Sequence, residues 1–323
     1  MSTKLNEIQK RRLKSLKPQF ENAIRDKDFN NAKIIMRDIQ NVLNLNNHKT
    51  LLAKYKNWLF ELALDLEKYE YAKNGFISNR TITNKNTRIH LESTALLAIT
   101  YLRLEDIDKA KPYIQEVLQN KNVIKTDRTR KIFNEKIIER FDEEIALSSI
   151  REKNKTSYDL DEIENEIAML VSSKTEDEIF KLIGKSLPSQ TKYLLFEVDN
   201  FAKNQLSSAE RKLLPSSEEI IKDEKAGKTV FKSLKRVLYN SICDSNSQVF
   251  KIWNEKITGA VFDTKYLISA ITLSLAHINI GIKALIISAS ALIIRFGLDF
   301  YCEHFKPIGI METRKINKND TQL

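Results

Sequence analysis

The chain has 323 residues, with 53 Lys+Arg against 43 Asp+Glu, a formal charge of +10 and a pI near 9.3. Only 7 Gly and 5 Pro accompany a hydrophobic fraction of 42%, which argues against collagen-like, turn-rich all-β and glycine-loop folds and against wholesale disorder. Two cysteines, Cys243 and Cys302, are too few for a disulfide framework, so a reducing, cytoplasmic setting is the expectation.

The first residues, MSTKLNEIQKRRLKSLK, are basic, but no apolar core follows them as it would in a secretory signal. They read as a first helix, with Leu5, Ile8, Leu13 and Leu16 on one stripe. Three windows then align without gaps: Phe20, Ala23, Phe29, Ala32, Met36; Phe60, Ala63, Tyr69, Ala72, Phe76; and Ala98, Tyr101, Ile107, Ala110, Ile114. In each, residues three and four apart share a helix face, and a gap of six leaves room for a turn between antiparallel helices. The alanines Ala32, Ala72 and Ala110 would let helices approach closely.

This order of small residue, aromatic, turn, aromatic and alanine resembles the tetratricopeptide repeat over residues 15–125. The third window, LLAITYLRLEDIDKAKPYIQEVL, matches best, at Leu97, Ala98, Tyr101 and Ala110. The period is longer than the family's, the first-helix tryptophan has no counterpart, and no proline closes the repeats. The resemblance implies a helical-hairpin solenoid with a concave face that receives a peptide or helix of another protein. Partner-contact candidates on the first helix of each pair are Lys56, Asn57, Arg88, Glu92 and Arg103.

Beyond the repeats, residues 77–88 (ISNRTITNKNTR) read as a loop or an irregular helix start. A long helix begins at Asp127, striped by Ile132, Phe133, Ile137, Phe141 and Ile145, and is placed to cap the repeats. The polar run 151–159 reads as a linker between a repeat domain (1–150) and a C-terminal helical domain (160–310), with a solvated tail at 311–323. Asp159 with Glu162, Thr175 with Glu178, Ser207 with Glu210 and Ser216 with Glu219 have capping-box spacing and predict helices over 160–172, 176–186, 208–214 and 217–224. The run 191–201 favours a helix over a strand, and 228–243 is amphipathic through Val230, Leu234, Val237, Leu238 and Ile242.

The most apolar stretch is 266–300. Its first run, YLISAITLSLAHINIGI, is uncharged but short of the roughly 20 residues needed to span a bilayer, and continuing the second would bury Arg295 and Asp299. It reads as a buried helical hairpin, with membrane insertion as the alternative.

Chemistry-bearing patterns fail in turn. Gly227-Lys228-Thr229 lacks the upstream glycine and the strand of a phosphate loop. The four histidines are scattered, His277 reads as a core residue, and Cys302 and His304 diverge by about 200° on a helix. Cys302 lies among Phe300, Tyr301 and Phe305, which suits packing better than nucleophilic work, although pairings of Cys302 with His304 or Cys243 with His277 stay open. The acids Asp161, Glu162, Glu164 and Glu166 read as a solvated helix face.

Basic residues gather at 10–17, at 121–131 and at Lys228, Lys232, Lys235 and Arg236. Such stripes suit phosphate backbones or a solubilising face.

The expectation is therefore an all-α, non-enzymatic interaction or regulatory protein without a cofactor or metal, using a repeat groove. One alternative is a sensor–effector whose 266–300 hairpin acts at a membrane; its Asn/Lys/Ile-rich composition and layout resemble bacterial defence and toxin systems. A second alternative is a basic scaffold for nucleic acid.

Overall fold

The computed structural model describes residues 4–44, 48–120, 123–151, 159–245, 247, 249–251 and 264–312. The described residues form helices and connecting segments without a strand, so the fold is all-α. Two compact units are present, Met1–Ile137 with Ile308–Leu323, and Ile138–Pro307. The expected linker at 151–159 lies largely outside the described residues, and the chain divides earlier, within a helix.

The first unit contains three helix pairs: α1 (Glu7–Arg25) with α2 (Phe29–Asn44), α3 (Lys49–Asp65) with α4 (Tyr69–Ile82), and α5 (Arg88–Arg103) with α6 (Ile107–Gln119). Each helix packs on the next, and α3 also touches α1 and α5. The three windows fall on these pairs in register. Ala32, Ala72 and Ala110 are all 0% exposed at the helix crossings. Their neighbours fill the remaining space, as where Phe60 meets Phe76 edge-on at 5.7 Å. Gly75 is needed on α4 because a Cβ there would meet the Phe60 ring at 2.5 Å.

The turns inside the pairs repeat as well. Lys27, Glu67 and Glu105 each adopt positive φ, at 54°, 59° and 62°. In each turn the next residue donates its N–H to a carbonyl five positions back: Asp28 to Ala23 at 2.9 Å, Lys68 to Ala63 at 2.8 Å and Asp106 to Tyr101 at 2.9 Å. This closure satisfies carbonyls that the helix end leaves unpaired. Side chains in the left-handed region cost about 1 kcal/mol each, and the packed helices on either side hold them there.

Two details differ from the sequence reading. Ile8 is 77% exposed, whereas Leu5, Leu13 and Leu16 do pack on the core. The stretch after Phe76 stays helical to Ile82 because Asn79 turns inward, and Thr87 then starts α5 by accepting the His90 N–H at 3.3 Å.

The division between the units falls within α7 (Asp127–Ser149), which buries Phe133, Ile137, Phe141 and Ile145 as its stripe requires. The second unit continues with α8 (Leu160–Ser173), α9 (Glu176–Ser186), α10 (Ser189–Asn204), α11 (Ser208–Arg211), α12 (Ser217–Ile220), α13 (Asp223–Ile242), α14 (Thr264–His277), α15 (Lys283–Phe296) and α16 (Leu298–His304). Thr175–Glu178 and Ser207–Glu210 form full capping boxes. Asp159 caps α8 through its own carboxylate alone, and Ser216 makes no side-chain cap.

The apolar hairpin is interior to this unit. Leu285 to Ile293 on α15 are all buried, and α15 packs on α8 and α9 while α14 packs on α8 and α13. His277 at the end of α14 is exposed, so it is not the core residue expected. No single described helix is long and apolar enough to cross a membrane; α15 and α16 together reach that length but are bent by 91° at their break. Gly297 provides the break, with φ at 81°.

The glycine of the phosphate-loop look-alike has a packing role. Gly227 sits in mid-α13 against the Phe180 carbonyl of α9, and Gly184 of α9 sits against the Asp223 carbonyl, leaving no space for a Cβ at either position. The two helices cross backbone to backbone. Cys243 and Cys302 are joined in a disulfide, with Cα atoms 5.4 Å apart, tying the end of α13 to α16. Their sulfurs are therefore bonded to each other rather than paired with His277 or His304.

Candidate functional site

Three of the five residues placed on the helix faces of the repeats lie inside the first unit. Asn57 is 0% exposed on α3. Its Nδ2 donates to the Ile89 carbonyl of α5 at 3.2 Å, and its Oδ1 accepts from Asn79 Nδ2 and Ser93 Oγ, both at 2.8 Å. One amide thus joins α3, α4 and α5, and its burial is tolerated because its polar atoms are used. The Glu92 side chain is fully buried and pairs with Arg88 Nε at 3.0 Å. Arg103 Nη1 donates to the Leu64 carbonyl at 3.1 Å, placing a cation at the C-terminal end of α3. Lys56 and Arg88 are half-buried, and burial lowers the Lys56 pKa.

A second polar cluster, not foreseen from sequence, links α4, α5 and α6. Glu116 accepts from Arg80 Nη2 at 2.6 Å and lies 3.0 Å from His90 Nε2. Thr83 Oγ1 lies 3.1 Å from His90 Nδ1, while its own proton goes to the Asn79 carbonyl at 2.7 Å. The Arg80 guanidinium also donates to Thr94 Oγ1 at 2.9 Å and stacks over Tyr113 at 4.7 Å. Burial pushes the Glu116 carboxyl up, but the Arg80 charge and the hydrogen bonds from His90 and Arg80 outweigh it and hold it below the ordinary value. Sequence offered no signal for this cluster beyond polar residues at helical spacing.

Glu61 of α3, four residues and one turn beyond Asn57, meets the segment around Ile310. Its Oε1 accepts from the Ile310 backbone N–H, and its Oε2 from the Met311 N–H at 3.1 Å. Ile310 and Met311 are 3% and 1% exposed. The segment makes a single turn here. Glu312 N–H donates to the Gly309 carbonyl at 3.1 Å, and Gly309 N–H donates to Glu312 Oε2 at 3.1 Å. Successive N–H groups in a turn form a small anion-binding concavity, which the Glu61 carboxylate fills. A Cβ on Gly309 would sit 3.0 Å from that carboxylate, so a larger residue would make Glu61 give way by a few tenths of an ångström.

In the second unit, the predicted basic stripe is matched by acids. Lys228 pairs with Glu224 at 2.7 Å and Asp177 at 2.9 Å, contacts that raise its pKa. Lys232 pairs with Glu139, and Arg236 with Glu143 at 3.2 Å. Lys235 lies 3.7 Å from the Phe305 ring centroid, and burial, with the nearby Lys232 charge, brings its ammonium down to about 8.

Beneath the stripe is a buried acid pair. Asp142 of α7 and Asp199 of α10 are 6% and 1% exposed, and Lys203 Nζ lies 2.7 Å from Asp199 Oδ2. Asp142 Oδ1 and Asp199 Oδ1 both lack a hydrogen-bond donor. Burial, then the Asp199 charge, raises the Asp142 pKa well above the ordinary value. Among the described residues no group of three or more His, Cys, Asp or Glu could hold a metal ion. No protein-family model, curated protein or solved structure matches the chain.

Proposed function

We propose that the chain is a non-enzymatic recognition subunit whose first unit, with helix pairs that resemble tetratricopeptide repeats, holds a short peptide turn of a protein partner. One observation carries this reading: the Glu61 carboxylate on α3 seats two successive backbone N–H groups of a non-helical segment between buried apolar side chains. Backbone-directed contacts give affinity with little dependence on sequence, and the flanking apolar positions add selectivity. The alternative of a nucleic-acid scaffold draws less support, because Lys228, Lys232 and Arg236 already hold carboxylates that a phosphate would have to displace.

The test pans a peptide-display library against the full-length chain carrying Ile310→Asp and Met311→Asp, substitutions that expel the resident segment. Enriched peptides should lose at least tenfold in affinity when Glu61→Gln is added. A library that yields no peptide above background, on a chain of unchanged helical content, overturns the proposal.

A further inference from the structure

We infer that residues 308–312 are a tethered ligand of the Glu61 seat, and that the partner peptides are turns of the pattern glycine, apolar, apolar, acidic, which compete with it. The inference rests on the recognition reading above and adds what fills the seat at rest and which sequence class it selects.

Each position of the resident turn has a distinct part. Gly309 makes room for the carboxylate, Ile310 and Met311 supply both the N–H groups and the apolar burial, and Glu312 closes the turn on the Gly309 N–H. The turn is thus organised by its own residues, and a peptide carrying them loses less freedom on binding than an unstructured one. The partners of these hydrogen bonds are 249 and 250 residues apart in sequence. The segment belongs to the first unit, although the second unit precedes it in sequence, and Ile308 at its start is 47% exposed. A short segment outside the helix pairs opens more readily than α3 and α5, which are packed on several sides.

Tethering sets how well it competes. A segment held on the same chain has an effective concentration of about a millimolar, so with a dissociation constant of about 100 μM or tighter for the segment's own sequence on the open seat, a competing peptide should bind the resting chain at least tenfold more weakly.

The experiment uses the full-length chain and a fluorescein-labelled peptide with the sequence of residues 306–312, KPIGIME, followed by anisotropy. The peptide should bind the Ile310→Asp/Met311→Asp chain at least tenfold tighter than the unaltered chain. Adding Glu61→Gln should remove most of that affinity, and a KPIVIME peptide should bind at least tenfold more weakly than KPIGIME. A second variant, Gly309→Val alone, should raise hydrogen exchange at 310–312 while α3 and α5 keep their protection.

Equal affinity for the altered and unaltered chains overturns the inference. So does an unaltered chain that elutes as a dimer and takes up the peptide only on dilution, since the seat is then filled by a second copy. If library peptides of other sequences bind the opened chain but KPIGIME does not, the tethered-ligand inference falls and the recognition reading stands. If neither binds, both fall.

Discussion

Asp142, buried beside Asp199, should make the stability of the second unit fall as pH rises above 3.8. Asp142 has a folded pKa raised well above its ordinary 3.8, so between those values the folded state binds more protons than the unfolded state. Its stabilising effect is complete below pH 3.8 and is lost as pH rises toward the folded value. One group in this condition changes stability by about 1.4 kcal/mol per pH unit while the pH lies between its unfolded and folded pKa values. Glu143, raised to about 7 by burial against the opposing Arg140, has the same sign between 4.5 and 7. Lys235, lowered to about 8, acts oppositely, regaining stability as pH rises from 8 toward 10.5. Asp142→Asn mimics the protonated acid and should remove the Asp142 part of the slope, leaving that of Glu143. The assay is urea unfolding at fixed pH values, with pulsed hydrogen exchange at one labelling pH reading α13. Parallel slopes for the unaltered and Asp142→Asn chains, or stability rising from pH 5 to 7, would show that Asp142 is ionised in the folded protein.

Reducing the Cys243–Cys302 disulfide opens a link across 59 residues and should lower the stability of the second unit by about 4 kcal/mol on chain entropy, read as a lower urea midpoint in dithiothreitol. Cys243→Ser should lower the midpoint similarly and make it insensitive to dithiothreitol. Gly227→Ala puts a methyl into the Phe180 carbonyl and should cost about 3 kcal/mol, more than the helix propensity it gains, whereas Gly297→Ala meets no atom within 4 Å and should cost about 1 kcal/mol of backbone strain. Equal urea midpoints for these two alanine variants would contradict the close crossing of α9 and α13.

What the sequence made legible was set by short-range chemistry. The alanines at 32, 72 and 110 and their neighbours placed three helix pairs in register, and Thr175 and Ser207 marked helix starts, because both signals act within one or two turns. The turn residues Lys27, Glu67 and Glu105 gave no warning, since their left-handed backbone is imposed by the helices that flank it rather than by their side chains. Asn57 and Glu92 read as partner contacts on the concave face for a related reason. α5 is buried on nearly all sides, so it lacks the polar stripe that would reveal which face is solvated. The disulfide and the Glu61 contact join residues 59 and about 250 positions apart, and spacing along a chain carries no information about such pairs.

The net charge of +10 pointed toward phosphate, yet the arrangement of the charges points elsewhere. Lys228, Lys232 and Arg236 are each paired with a carboxylate, so a phosphate would have to break an existing contact before gaining its own. Such exchange returns little net energy at the partly exposed Lys228 and Lys232, where each pair is worth about 1 kcal/mol or less, and the Arg236–Glu143 pair is itself largely buried. An acid buried against backbone N–H groups follows different energetics. Glu61 is 8% exposed, and removing its partners would leave a desolvated carboxylate with two unmet hydrogen bonds, a loss of about 3 kcal/mol or more. Water or another peptide turn must therefore replace whatever leaves the seat, and a turn restores both hydrogen bonds together with the apolar cover.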